Sequence, residues 1–313
     1  MAINSMVIKD YQVFKDKLEV EFCPGVNVLI GGNGTGKTTI LKALYEFKSQ
    51  YLLPNKDTGY LLRNSKTGFL VREELIGECY REWGSAFIES GLKNLTYLPE
   101  KDILEHAKGL LPFIEEKQTG FSSIYKDIII SAQDVPTNKQ SETQKVIGEK
   151  IKSIIDGHIV WEPGDGSFYT VRTDGTRIPF ATEASGYKKL GLLGLLVTCG
   201  RFEKDSVLFW DEPENSLNPE HIPVLVDILY MLADIGAQIF IATHSYDIAR
   251  WFELNKKPDN ALRYFHLRKE DGRIIADAAD NYVSLPTSVI EDAGNALLRR
   301  VTQVAAENAG VKL

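Results

Sequence analysis

Little in this chain supports a framework built on disulfides or metal. Of its 313 residues only three are cysteine, and Cys23, Cys79 and Cys199 lie far apart with no CxxC spacing. That usage fits a reduced compartment, with all three as small packing residues. Histidine is scarce too: the five present show no paired zinc or nuclease spacing. No apolar run is long. The most apolar stretch, Leu190 to Cys199, falls far short of the ~20 residues a membrane span needs. The opening MAINSMVIKD lacks the charged-then-apolar pattern of a secretion signal, so a cytoplasmic protein is expected. Positive charge is in deficit, with 36 Lys+Arg against 43 Asp+Glu and a net charge of −7. This argues against a surface coated for tight, unspecific DNA binding, while leaving room for a local basic groove. No heptad pattern is sustained over several turns, which argues against a long coiled-coil arm.

What is present is an ordinary globular balance, 43% apolar and 25% charged. It suits one large domain, or one domain carrying an insertion. Leu18, Val20 and Phe22 alternate with charged residues as in a half-buried strand, and Val26 to Ile30 forms a short buried-strand run leading into glycines. Ile40, Leu41, Leu44 and Phe47 then recur at helical spacing, so the order is strand, glycine loop, helix. From 51 to 159 the pattern loosens. A helix over Glu142 to Ile155, with Val146, Ile147, Ile151, Ile154 and Ile155 on one face, is the clearest element there, and Leu95 to Leu98 reads as a further core strand. Hairpins are expected around Asp174-Gly175 and Asp271-Gly272, dipeptides suited to tight turns. Ser185 to Thr198 reads as a helix, and Val207 to Trp210 and Gln238 to Ala242 as buried strands. Pro286 to Ala306 closes the chain as a helix, with Ser288 and Glu291 spaced as a capping box.

The chemistry gathers at four places. Gly31 to Thr38, GGNGTGKT, fits GxxxxGK[ST] at every fixed position. Glycines let backbone N–H groups converge on phosphate oxygens, and the following helix aims its N-terminus at the anion. Asn33, Gly34, Thr35, Gly36, Lys37, Thr38 and Thr39 are therefore the candidate phosphate-binding residues, with Lys37 on the β- and γ-phosphates and the Thr38 hydroxyl on Mg²⁺. Second, Val207-Leu-Phe-Trp-Asp211-Glu212 delivers two acids to the C-terminal edge of a buried strand, where ligand sites of parallel sheets lie. Asp211 is the candidate Mg²⁺ ligand and Glu212 the candidate catalytic acid that polarises the attacking water. Third, His244 follows the strand Ile239 to Thr243, placed to stand beside Glu212 and reach the γ-phosphate. Fourth, Ser185-Gly186 opens a helix: the pair is an ordinary N-cap signal and also an N-terminal phosphate site, best used in trans if the P-loop already fills one end of the nucleotide.

Along the chain the four elements run P-loop, Ser-Gly helix, acidic strand and histidine, and in that order they resemble the P-loop, signature helix, acidic strand and switch histidine in the heads of ABC-type ATPases. The strands before GGNGTGKTT look like the SMC, RecF and OLD branch, and LFWDEPENSLNP with FIATHS resembles the OLD-like AAA ATPases of bacterial anti-phage systems, including those of Septu and retron modules. The motifs cover residues 6 to 250. The resemblance implies an α/β P-loop NTPase of ABC-ATPase type, with a mixed central sheet, flanking helices, an N-terminal antiparallel β portion and a helical insertion. Residues 1–50 and 160–313 would form the ATPase core and 51–159 a mainly helical lobe. It implies a homodimer with two ATPs sandwiched between heads. Ser185 and Gly186 would touch the γ-phosphate held by Lys37 of the other chain, and the D-loop would be Ser216-Leu217-Asn218.

Tyr187 stands where transporter heads carry a second glycine, and Asn218 where aspartate is common. The Q-loop position falls near Tyr97 to Lys101, which has no glutamine; Gln133 is the substitute candidate. Slow or partner-gated hydrolysis is the consequence expected. OLD nucleases add a Toprim domain with Glu and Asp-x-Asp, but the 69 residues after His244 contain no Asp-x-Asp. No nuclease site is expected in this chain, and an effector such as a nuclease or toxin should be a separate protein. The competing expectations are a DNA-repair ATPase like RecF or the SMC heads, which would bind nucleic acid, and a transporter ATPase subunit needing a membrane partner.

Overall fold

The computed structural model describes residues 2–8, 11–51, 68–76, 79–88, 93–116, 123–286 and 289–308. Along the chain these form β1 (Ile3–Ile8), β2 (Leu18–Glu21), β3 (Val26–Ile30), α1 (Lys37–Tyr51), β4 (Gly68–Ile76), β5 (Cys79–Ile88), β6 (Leu95–Leu98), α2 (Ala107–Glu116), α3 (Ser123–Ala132) and α4 (Glu142–Ile155). There follow β7 (Gly157–Glu162), β8 (Ser167–Arg172), β9 (Arg177–Pro179), α5 (Ser185–Thr198), β10 (Val207–Asp211), α6 (Ile222–Asp234), β11 (Gln238–Thr243), α7 (Tyr246–Leu254), β12 (Leu262–Glu270), β13 (Arg273–Ala279) and α8 (Val289–Asn308).

The central sheet runs β13-β12-β3-β11-β10-β6, with β12, β3, β11, β10 and β6 parallel and β13 antiparallel at one edge. β3, β10 and β11 are buried along their whole length, as their continuous apolar sequences require in a sheet covered on both faces. Alternation divides them between two cores. Val26, Val28, Ile30, Leu208, Trp210, Ile239 and Ile241 pack with α4, α5, α6 and α7, whereas Leu29, Val207, Phe209 and Phe240 pack with α1 and the N-terminal strands. Phe209 and Phe240 stack across the second core with centroids 5.1 Å apart.

β2-β1-β5-β4 form an antiparallel sheet, the N-terminal β portion expected. Gln238, at the start of β11, fastens it to the central sheet. Its Oε1 accepts from Ile3 N–H at 2.7 Å, and its Nε2 donates to the carbonyls of Ile3 at 2.9 Å and Cys23 at 2.8 Å. A buried amide with three partners is fully used, so the joint costs no unsatisfied polar group.

Within 51–159 the described residues hold α2, α3 and α4, together with β4, β5, β6 and the start of β7. β4 and β5 belong to the N-terminal sheet and β6 is the edge of the central one. α4 spans the residues expected of it. Ser141 and Gln144 close a capping box at its start, and Asp156 ends it in the left-handed region. Its buried face is narrower than the spacing indicates: Ile147, Ile151 and Ile155 are buried, while Val146 is exposed. Both Asp-Gly turns occur where expected, joining β8 to β9 and β12 to β13. At the second, Asp271 and Gly272 both take positive φ, 48° and 80°. α8 covers the closing helix, but the capping box read at Ser288 and Glu291 lies outside the residues whose side chains are described. Among the described residues no helix is long and apolar enough to cross a membrane.

Candidate functional site

The loop Gly31–Gly36 leaves β3 at its C-terminal end and enters α1 at Lys37. Gly31, Gly34 and Gly36 take φ of 149°, 74° and 93°. A Cβ on Gly31 would lie 2.2 Å from the Leu267 carbonyl oxygen, and one on Gly36 would lie 2.4 Å from Phe14 Cζ. Glycine is therefore required at both places by space as well as by dihedral. Phe14 belongs to a small turn bridged to Tyr11, and Gln12 in that turn accepts a hydrogen bond from the Thr39 hydroxyl at 2.9 Å. Thr35 Oγ1 closes the loop onto the Gly32 carbonyl at 2.9 Å, while Asn33 and Gly34 are exposed.

Lys37 is buried, and its Nζ donates to the carbonyls of Gly31 at 2.9 Å and Gly32 at 3.0 Å. Burial holds this amine below its ordinary range, with Glu212, Asp211 and Glu214 pulling it back up. The Thr38 hydroxyl donates to Asp211 Oδ1 at 3.0 Å. Asp211 ends β10 and is buried, which raises its carboxyl above the usual range against the lowering effect of the Thr38 bond. Tyr97 OH on β6 also approaches Asp211, at 3.5 Å from Oδ2.

Glu212, one residue on, adopts φ 48°, a left-handed conformation that costs a non-glycine residue energy. Three hydrogen bonds hold it there. Its N–H donates to the Ala242 carbonyl on β11 at 2.8 Å, and its carbonyl accepts from Lys189 Nζ at 2.9 Å and from the Asn215 N–H at 3.1 Å. The Glu212 carboxylate then meets His244, whose Nδ1 lies 2.9 Å from Oε1. β10 and β11 are parallel neighbours with Asp211 opposite Ala242, so the residues just past each strand end come together.

Thus Lys37, Thr38, Asp211, Glu212 and His244 converge at the C-terminal edge of β3, β10 and β11. Ser185 and Gly186 do not join this group through direct contact. Ser185 is exposed at the start of α5, and Gly186 packs on the turn after β10: a Cβ there would sit 2.7 Å from the Ser216 carbonyl oxygen. Three residues near the acids, Lys189, Glu214 and Glu100, have no role assigned by the sequence. Lys189 is the fifth residue of α5 and buried; Glu214 follows the acid pair and is bonded by the Thr243 hydroxyl. Glu100, just past β6, accepts from Asn215 Nδ2 at 2.9 Å and stands where the Q-loop glutamine was sought. Gln133 lies past α3 and instead lines an apolar cavity of about 840 Å³ that contains none of the phosphate-site candidates. The signal for Lys189 and Glu214 was present as charge flanking each motif.

Residues 74–249, more than half of the chain, match the family described as "AAA domain, putative AbiEii toxin, Type IV TA system", and residues 1–70 match the AAA ATPase domain model. The chain belongs to this AAA ATPase family. Its fold is that of an ABC-type ATPase head. A crystal structure of an SMC head bound to the C-terminal winged-helix domain of ScpA superimposes with a TM-score of 0.53 at 13% identity, covering 89% of this chain and 98% of that one. The energy-coupling factor transporter ATP-binding protein EcfA2 of Mesomycoplasma hyopneumoniae (strain 7448) is 26% identical over 269 residues, 85% of this chain and 73% of its own. The DNA replication and repair protein RecF of Oenococcus oeni is 47% identical over 45 residues, 14% of this chain and 12% of RecF. The AAA head therefore shares only a short segment with RecF but most of its length with a cassette ATPase.

Proposed function

We propose that this AAA head binds and hydrolyses ATP as a nucleotide-switched homodimer, and that it is the ATPase and regulatory subunit of a bacterial anti-phage complex with a separate nuclease or toxin. The observation that carries the ATPase reading is the pairing of Thr38 with Asp211 beside Glu212 and His244. A hydroxyl and a carboxylate oxygen at hydrogen-bond distance are a donor set fitting Mg²⁺, which takes one or two protein oxygens alongside phosphate oxygens and water. When bound there, Mg²⁺ would neutralise charge on the β- and γ-phosphates. Lys37 would leave the Gly31 and Gly32 carbonyls to meet the same phosphates, and the Asn33–Thr39 backbone would cradle them. Glu212 would accept a proton from the attacking water, and His244, bonded to Glu212, would orient it toward the γ-phosphate.

Ser185 is exposed at a helix N-terminus, and Gly186 beside it packs on the Ser216 carbonyl, which supports a role across a dimer. In that arrangement Ser185 and Gly186 serve the partner's nucleotide, and Ser216 to Asn218 cross the interface. We assign 1–50 and 160–313 to the ATPase core and the helical part of 51–159 to a lobe packed on it, with β4 and β5 completing the N-terminal sheet and β6 the central one. The defence role draws support from the family description, which names a toxin of a type IV toxin–antitoxin system. The SMC-like fold and the RecF segment favour a second reading, a DNA-handling ATPase.

One experiment separates them: purify the tagged protein together with the products of neighbouring genes, with and without ATP. A co-eluting nuclease or toxin supports the defence complex. Repair proteins, with a DNA affinity that falls steeply with salt, support the second reading.

A further inference from the structure

A second glutamate is buried inside the site. Glu214 lies in the turn after β10, and its Oε1 accepts a hydrogen bond from the Thr243 hydroxyl. Thr243 is the last residue of β11 and fully buried, so this hydroxyl has no access to water. The same Thr243 Oγ1 accepts the Ser245 N–H at 2.9 Å. Ser245 N–H, Thr243 hydroxyl and Glu214 carboxylate therefore form one chain, and it straddles His244 from both sides. The His244 ring is half-exposed, and its Nδ1 contact is Glu212 Oε1 at 2.9 Å. A ring so lightly packed is aimed by its backbone, and that backbone turn is fixed by Thr243.

Glu214 Oε2 is buried with no hydrogen-bond partner among the described residues. A carboxylate oxygen left this way is expensive and calls for an explanation other than packing. Burial holds the Glu214 carboxyl above its usual range, opposed first by the Thr243 bond. We infer that Glu214 is a positioning residue for hydrolysis: acting through Thr243, it holds the Thr243–Ser245 turn so that His244 meets Glu212. The inference rests on the reading of Glu212 and His244 as the hydrolytic pair.

The test is a cycle of Glu214→Ala, Thr243→Val and the double variant, with Glu214→Gln and Thr243→Ser as conservative partners. Each single loss is expected to lower kcat for ATP about tenfold with KM within about twofold, and the double variant should be no worse than either single one, because the two side chains act as one unit. Glu214→Gln still presents an oxygen to Thr243 and should recover most of the rate, as should Thr243→Ser. Losses that multiply in the double variant, or a Glu214→Gln variant as impaired as Glu214→Ala, overturn the relay. A second readout needs no turnover. In ¹H–¹⁵N spectra of the histidine rings, the resonance lost in His244→Gln identifies His244, and Glu214→Ala should shift its Nδ1 signal as Glu212→Ala does. An unmoved signal overturns the inference. A wild-type protein that hydrolyses no ATP would instead defeat the ATPase reading, while the ring signal still tests the positioning.

Discussion

Lys189 Nζ donates to the backbone carbonyl of Glu212 at 2.9 Å, joining the second turn of α5 to the residue after β10. Lys189 is buried, which lowers its amine from the ordinary range against the pull of Glu214, Glu100 and Glu212. Glu212 sits at φ 48° and its carbonyl has this amine as a fixed partner. Any shift of α5 therefore reaches the backbone of the candidate catalytic acid.

Replacing Lys189 by methionine keeps the stem and removes the donor. The Glu212 carbonyl then keeps only the Asn215 N–H at 3.1 Å, and loss of a hydrogen bond to a charged donor costs roughly 1.5–3 kcal/mol, which here falls on the strained Glu212 backbone. Lys189→Met is expected to lower kcat about tenfold or more with ATP affinity nearly unchanged. Steady-state kinetics beside equilibrium ATP titration checks this, and an equal loss in both would place Lys189 in nucleotide binding instead.

The Thr38–Asp211 pair predicts a metal-dependent phenotype. Asp211→Asn should weaken ATP binding by about tenfold or more in the presence of Mg²⁺ and leave binding in EDTA little changed. Calorimetry under both conditions gives the comparison.

The P-loop glycines differ in how much they tolerate. A Cβ at Gly31 meets a backbone oxygen at 2.2 Å, whereas one at Gly34 meets nothing within 4 Å. Gly34→Ala carries only the strain of its positive φ, about 1 kcal/mol. Gly31→Ala adds a clash that only backbone movement relieves, and should cost about 3 kcal/mol or more. Thermal melting of the two variants should rank them in that order.

The legible parts of this fold are those whose signal is local. β3, β10 and β11 announce themselves as apolar runs, and the glycines of GGNGTGKT and the turn at Asp271-Gly272 are dictated by positive φ. β7 was hidden because GHIVWE mixes polar and apolar residues without clean alternation. Its Gly157 is fixed by the close approach of the Val171 carbonyl, 2.3 Å from where a Cβ would lie. Lys189 and Glu214 were overlooked for a different reason. Their partners are a backbone carbonyl and a threonine hydroxyl brought near by the sheet, and neither leaves a spacing in the sequence. Val146 faces solvent despite its aliphatic side chain because α4 buries one stripe against α5 and α6, narrower than its run of aliphatic residues.

Buried acids make stability depend on pH in a stated direction. Burial raises the Glu214 carboxyl above its usual range, so the folded state favours the protonated form. Its contribution is fully present below the unfolded-state value near 4.3 and is lost as pH rises through the folded-state value. Glu214→Gln has no charge to bury. Its melting temperature should exceed that of the wild-type protein by about 2 °C or more at pH 8, with the gap closing toward pH 4. Melts across this range measure the gap, and a constant difference would contradict the sign.

The central claim is a composite site closed by two heads, with Glu212 as the acid that opens it by hydrolysis. Glu212→Gln keeps the shape and the Lys189 contact but removes the carboxylate beside His244. The mass of this variant by light scattering, with Mg²⁺ and ATP and then without nucleotide, is the direct test. The account predicts a dimer that persists with ATP and does not turn it over. A variant that hydrolyses ATP at the wild-type rate, or whose mass is unchanged by ATP, would contradict it.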